Sequence, residues 1–203
     1  SAASDVYKRQ TYRRVIPTLK HFCANNNEKE RNSCSSNVTP RTLREYYYRA
    51  FEASIVRGGT GSMMTAYNEL SGVPACMNPD LKTLVKKQWG LEFVVTDGAD
   101  FSQNVLAHHS HATHAEALAA CLKNGNDVMT DEADMVAAAA RDALDRGLLT
   151  EADIDRAVGN SLSGRFRLGE FDGDSCPYNT EPAETDTLLH RAVTVSYTHL
   201  RAH

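Results

Sequence analysis

Asp97 stands directly after the apolar run Phe93-Val94-Val95-Thr96 and directly before Gly98, so a carboxylate is held at the mouth of a buried strand. A carboxylate on such rigid support suits a covalent nucleophile or a metal ligand, and its structural alternative is to cap the next helix or accept backbone N–H groups in the turn. Lys20 and His21, adjacent after the apolar run at residues 15–19, offer donors to a neighbouring carboxylate or a polyhydroxylated ligand. Otherwise they are a surface lysine beside a histidine satisfied in the wall of the fold. Equivalent positions hold Asn25, Glu28 and Arg31 after the first run, residues 64–68 after the second, Asp100 after the third and residues 130–132 after a weaker fourth run at 127–129.

A second kind of chemistry is written in HHSHATH. His108, His109, His111 and His114 include a pair three residues apart that shares a helix face, a spacing compatible with a divalent metal, and Asp97 would then be a further ligand. The bland reading is a polar loop rim leading into the next helix. GGTGS at residues 58–62 lacks the lysine of a phosphate loop and precedes a strand, so it reads as a turn.

These side chains need strands to hold them. Residues 15–19, 62–66 and 93–96 read as buried strands, with 127–129 as the weaker fourth. Helices lie between and after them. Thr39 and Pro40 open one running through RTLREYYYRAFEASIVRG, and Asn78 and Pro79 open another over DLKTLVKKQWG. Thr113 or His114 starts a third, residues 133–146 form an alanine-rich fourth, and Thr150 with Asp153 resembles a capping box for a last one. Tyr46, Tyr47 and Tyr48 are expected to pack one or two rings inward. Alternating strand and helix predicts a parallel α/β sheet. About four βα units are too few to close an eight-stranded barrel, which leaves half a barrel or a small open sheet.

Composition narrows the class. The 203 residues are 41% hydrophobic and 24% charged with a net charge of -4, which excludes a basic nucleic-acid-binding surface. No apolar run reaches the roughly 18 residues of a membrane span. The five cysteines are widely spaced and never form C-x-x-C, which argues against a disulfide scaffold or zinc ribbon. Both ends read as translated sequencing adapter: residues 1–10, SAASDVYKRQ, and residues 195–203, VSYTHLRAH, match the coding capacity of a transposase adapter and its reverse complement. Set apart as non-native, they leave residues 11–194 for fold reasoning and leave the compartment open between cytoplasmic and secreted. From Leu168 the sequence turns polar and rich in turn residues, which reads as an exit linker over residues 170–194, with a short amphipathic stretch at 187–193.

Together, KHF with Asn25, Glu28 and Arg31, RTLREYYYRAFE, MTAYNELSGVPACMN, WGLEFVVTDGAD, LLTEADIDRAV and RFRLGEFD closely resemble, in order, the signature segments of glycoside hydrolase family 3. The resemblance implies a retaining, exo-acting β-glycosidase that removes terminal β-linked glucose or xylose through a covalent glycosyl-aspartate. It makes residues 11–169 the second, C-terminal half of the family's N-terminal (β/α)8 barrel and 170–194 the linker to an α/β sandwich domain. It assigns Asp97 as nucleophile, Lys20 and His21 as ligands of the sugar in the first subsite, and Met64 and Tyr67 as the M-x-x-Y beside the nucleophile. The acid/base glutamate usually comes from the second domain, so the chain by itself is expected to be inactive. No cofactor or metal is implied, and the partner is a glycoside or oligosaccharide. Gly98 stands where members often carry Trp or Cys, which leaves the sugar open. The alternatives are a metal-dependent barrel hydrolase using the histidine cluster and a carbohydrate-binding barrel that has lost catalysis.

Overall fold

In the computed structural model, which describes residues 12–178, an α/β fold is built on six strands. They are β1 (Thr18–Phe22), β2 (Ser35–Ser36), β3 (Ser62–Thr65), β4 (Glu69–Leu70), β5 (Val73–Pro74) and β6 (Phe93–Val95). β1, β3 and β6 lie side by side in that order and run parallel, the arrangement that helical crossovers impose. The register sets Leu19 opposite Met63, Met63 opposite Val94 and Met64 opposite Val95. Met63 and Val94 are fully buried against the helices, so Met64 and Val95 face the other side of the sheet.

Two expectations need correction. The first strand lies at Thr18–Phe22 rather than residues 15–19: Pro17 has no N–H to give a ladder, and its carbonyl instead accepts from the Ser62 amide at 3.3 Å. Lys20 and His21 are therefore inside β1, not after it, and the Lys20–His21 and Phe22–Cys23 peptides are both cis. The fourth strand shrinks to one parallel bridge between Val128 and Val95, because Asp127 takes the Val94 amide with its side chain, at 2.8 Å. No closed barrel is present among the described residues. The sequence also gave no notice of a second small sheet in which β4 pairs parallel with β2 and antiparallel with β5.

The helices begin where their caps predict. Thr39 accepts the Thr42 amide at 3.2 Å ahead of α1 (Pro40–Thr42), which widens over Leu43–Tyr47 and continues as α2 (Tyr48–Val56). Leu81–Lys86 is another wide helical turn. α3 (Asp100–Leu106) was not foreseen; α4 (His114–Lys123) follows a full capping box of Thr113 and Glu116. α5 (Ala133–Asp145) and α6 (Glu151–Arg167) complete the set, α6 with the Thr150–Asp153 box.

Two apolar clusters hold the layers together. Phe22, Tyr48, Met63, Leu81, Val85 and Val94 pack the sheet on α2 and the Leu81–Lys86 turn, with Phe22 stacked on Tyr48 at 5.1 Å. Of the tyrosine run, Tyr48 is buried and Tyr46 exposed. Phe101, Leu118, Cys121 and Leu149 join α3, α4, α5 and α6. Each fully buried large side chain contributes about 1.5–3 kcal/mol. Under the sheet, Lys86 pairs with Asp127, whose other oxygen accepts from Asn160 on α6 at 3.0 Å. In the segment expected to leave as a linker, residues 170–178 turn back on the end of α6, where Arg165 holds Glu170 through two bonds of 2.6 Å. Residues 1–11 and 179–203, which include both expected adapter segments and most of the expected linker, lie outside the described residues.

Candidate active site

Asp97 is fixed from both flanks before its carboxylate is considered. The Thr96 amide donates to the Val128 carbonyl at 2.9 Å, and the Thr130 amide donates to Thr96 Oγ1 at 2.8 Å. The Thr130 hydroxyl lies 2.8 Å from the Thr96 carbonyl and 2.7 Å from the Asp97 carbonyl. The Asp100 amide closes the turn onto the same Asp97 carbonyl at 3.1 Å, through Ala99 in the left-handed region at φ 60°. A non-glycine residue held there stores strain of the kind common at functional turns.

The carboxylate itself faces two donors. Its Oδ1 accepts the Gly98 amide at 2.8 Å, and its Oδ2 lies 3.0 Å from Nε2 of His21 on β1. His21 and Asp97 are both partly exposed, as groups that must meet a ligand have to be. Of the two donors at the end of β1, His21 thus engages the carboxylate, whereas Lys20 is exposed and has no ion-pair partner among the described residues. Met64 is half-buried one register pair back, on the face of the sheet opposite its buried neighbour Met63.

Tyr67 completes the group. Its hydroxyl donates to the Gly98 carbonyl at 2.7 Å, beside the Asp97 carboxylate. The carboxylate is near enough for its charge to raise the tyrosine pKa; burial is the larger cause, and the Arg31 guanidinium, 5.0 Å over the ring, pulls the other way. Asn68 locks this corner by donating to the Cys23 and Glu69 carbonyls and to the Ser36 hydroxyl at 3.0–3.2 Å.

Behind Asp97 lies a second carboxyl group. Asp100 is almost fully buried, accepts the Thr65 hydroxyl at 2.8 Å, and has its pKa pushed up to about 8. Burial is the main cause, with the charges of Asp131 and Asp97 adding to it. Asp100 is therefore a largely neutral acid at neutral pH, which spares Asp97 a like charge at close range.

The histidine run disperses. His108 Nε2 meets the Tyr67 carbonyl at 2.7 Å, His109 Nδ1 the Val105 carbonyl at 2.9 Å and His111 Nδ1 the Ser110 hydroxyl at 3.2 Å, while the His114 ring tilts against Phe101. Among the described residues no three potential metal ligands converge.

The structure thus brings together Asp97, His21 and Tyr67, sets Met64 on the same face, and leaves Lys20 exposed next to His21 in β1. Sequence reasoning placed Thr130, Asp100 and Arg31 after strand ends without giving them a role here, and took His108 only as a candidate metal ligand. Thr130 and Asp100 carried the signal of directly following strands; the contact of His108 with Tyr67, 41 positions away, left none.

The profile of the glycosyl hydrolase family 3 N terminal domain matches residues 4–163, entering the first ten residues. Beta-D-xylosidase 1 of Arabidopsis thaliana is 32% identical over 194 residues, covering 92% of this chain and 25% of that protein. A beta-xylosidase of Formosa agariphila is 31% identical, with 87% of this chain and 26% of its own length covered. Among solved structures, a GH3 exo-beta-xylosidase in complex with a xylobiose aziridine activity-based probe superposes with a TM-score of 0.79 at 26% identity, over 84% of this chain and 23% of that one. Beta-glucosidase 3B from Thermotoga neapolitana in complex with α-D-glucose gives 0.72 at 27% identity, over 91% and 24%. The chain spans about a quarter of the length of these relatives.

Proposed function

The chain belongs to glycosyl hydrolase family 3, and from that membership we propose that it is part of a retaining exo-β-glycosidase in which Asp97 is the nucleophile. The observation that carries the reading is the setting of Asp97: a carboxylate at the end of the parallel strand β6, its backbone pinned by Thr130 and its two oxygens oriented by the Gly98 amide and His21. Such orientation costs no rearrangement when an oxygen lone pair attacks the anomeric carbon.

One Asp97 oxygen attacks C1 as the C1–O bond to the leaving group breaks, and a general acid protonates the departing oxygen. Water then releases the sugar with the same group acting as base. Retention places the two carboxyl groups about 5–5.5 Å apart. The acid/base is a glutamate from a sandwich domain beyond this chain, and residues 11–169 are the second half of a (β/α)8 barrel, with 170–194 the linker between the two domains. The segment alone is then inactive, because half of the sugar site and the acid are contributed elsewhere. Residues 1–10 and 195–203 are adapter-derived.

Lys20, His21, Met64 and Tyr67 bind the terminal sugar. The exposed Lys20 ammonium is free to reach hydroxyls, and Met64 offers a flexible apolar surface to the ring. Gly98 leaves room beside the nucleophile, since a Cβ there would meet nothing within 4 Å. Substrates are terminal β-xylosides or β-glucosides, with xylosides first because the two curated sequence relatives named above are xylosidases. In the complete enzyme, Asp97→Asn should lower turnover by several orders of magnitude with an unchanged circular dichroism spectrum. Retained turnover would refute the assignment.

A further inference from the structure

The histidine run leaves one member that nothing above employs. The side chain of His108 is only 1% exposed and sits just past α3, the helix that starts three residues after Asp97. We propose that His108 is a positioning residue: gripping the backbone of Tyr67, it sets the height of the Tyr67 ring and hydroxyl beside Asp97. The proposal rests on the reading of Asp97 and Tyr67 as parts of a glycosidase site.

The geometry forms a closed circuit. Tyr67 lies beyond the last register pair of β3 with β6, so the sheet does not hold its carbonyl. His108 Nε2 does, at 2.7 Å, and at its other end Tyr67 donates its hydroxyl to the Gly98 carbonyl, also at 2.7 Å. Gly98 leads into α3, and α3 returns to His108, whose amide is tied to the Gln103 carbonyl at 2.8 Å. Ser110 locks the turn that follows, by donating its amide and hydroxyl to the Asn104 carbonyl at 2.9 and 3.1 Å. One helix thus carries the nucleophile's neighbour at its start and the clamp on Tyr67 at its end.

The chemistry of the contact fixes a proton. A carbonyl oxygen only accepts, so Nε2 must carry the hydrogen. Nδ1 is buried without a hydrogen-bond partner, and Glu69 Oε1 on β4 lies 3.5 Å from it. His108 therefore touches the Tyr67–Glu69 stretch twice, at the carbonyl of one residue and the carboxylate of the other. Glu69 is the charged group facing the imidazole; Arg31 and Asp97 address the ring and hydroxyl of Tyr67 instead.

Two measurements test this. In the chain itself, long-range proton–nitrogen spectra of 15N-histidine protein, with His108 assigned by its disappearance in His108→Gln, should show Nε2 protonated. An Nε2 without hydrogen would overturn the proposal, and this arm needs no turnover. In the complete enzyme, His108→Leu should lower kcat by about 100-fold, the order expected of an ångström-scale misplacement, with a much smaller change in KM. His108→Gln, whose amide nitrogen can take the place of Nε2, should restore most of the rate. In a Tyr67→Phe background the cost of His108→Leu should shrink, because the clamp then has no hydroxyl to place. Equal costs in both backgrounds, or failure of Gln to rescue, would refute a role acting through Tyr67. The Nε2-protonated form together with an Asp97 that never takes up a sugar would refute the glycosidase reading and leave the clamp geometry standing.

Discussion

Asp100→Asn gives the sharpest physical prediction from the structure, because it keeps the shape of the side chain and an acceptor for the Thr65 hydroxyl while removing an ionisable group from a nearly solvent-free position. An acid whose folded-state pKa lies above its ordinary value supports the fold below that ordinary value and loses this support as pH rises through the folded one. For Asp100 the window runs from 3.8 to about 8. Across it, the stability of the variant relative to the natural chain should climb by about 1.4 kcal/mol per pH unit and then level off. The accumulated difference is on the order of 5 kcal/mol, large against the margin of a typical domain. Urea unfolding followed by circular dichroism and by the fluorescence of Trp89, the single tryptophan, measures it at successive pH values. Asp131→Asn is a useful second perturbation, since removing that charge should move the plateau to lower pH. A stability difference that stays flat with pH would show that Asp100 ionises normally in the fold and would refute the reasoning.

The remaining expectations concern the supports of the site. Asp127→Ala should destabilise the chain by about 3–5 kcal/mol, because it strands Lys86 in a buried position and frees the Val94 amide behind the nucleophile's strand. The loss should appear as a lower urea midpoint. Thr130→Val removes the hydroxyl shared by the Thr96 and Asp97 carbonyls and should cost about 1–3 kcal/mol, with kcat of the complete enzyme falling more than KM rises. An unchanged kcat would mean that Thr130 does not position Asp97.

Much of this arrangement was legible in the sequence because it is written locally. SMMT and FVV are short apolar runs, and Thr39-Pro40, Thr113 with Glu116 and Thr150 with Asp153 are caps whose partners lie within a few residues. Asp97 stood out for the same reason, as a carboxylate at a strand end. Other features depend on contacts that no local pattern encodes. The two-residue strands of the small sheet are too short to show a period. The first strand moved because Pro17 interrupts an otherwise plausible apolar run. His108 suggested a metal because its neighbours are histidines, yet its partner is a carbonyl far along the chain. Asp100 looked like one more polar residue after Asp97, and only the packing of Thr65 against it shows a buried acid. The role of Met64 came from the resemblance alone, and that of Lys20 also from its place beside His21; geometry adds that Lys20 is exposed and that Met64 faces away from the helices.

The claim on which the account turns is a covalent bond between a sugar and Asp97. Incubating the complete enzyme with an activated 2-fluoro-β-xyloside or 2-fluoro-β-glucoside, then digesting it and sequencing the labelled peptide by mass spectrometry, tests that bond directly. The expected result is time-dependent inactivation with the fluorosugar attached to Asp97. A label on any other residue, or inactivation that survives Asp97→Asn, would contradict it.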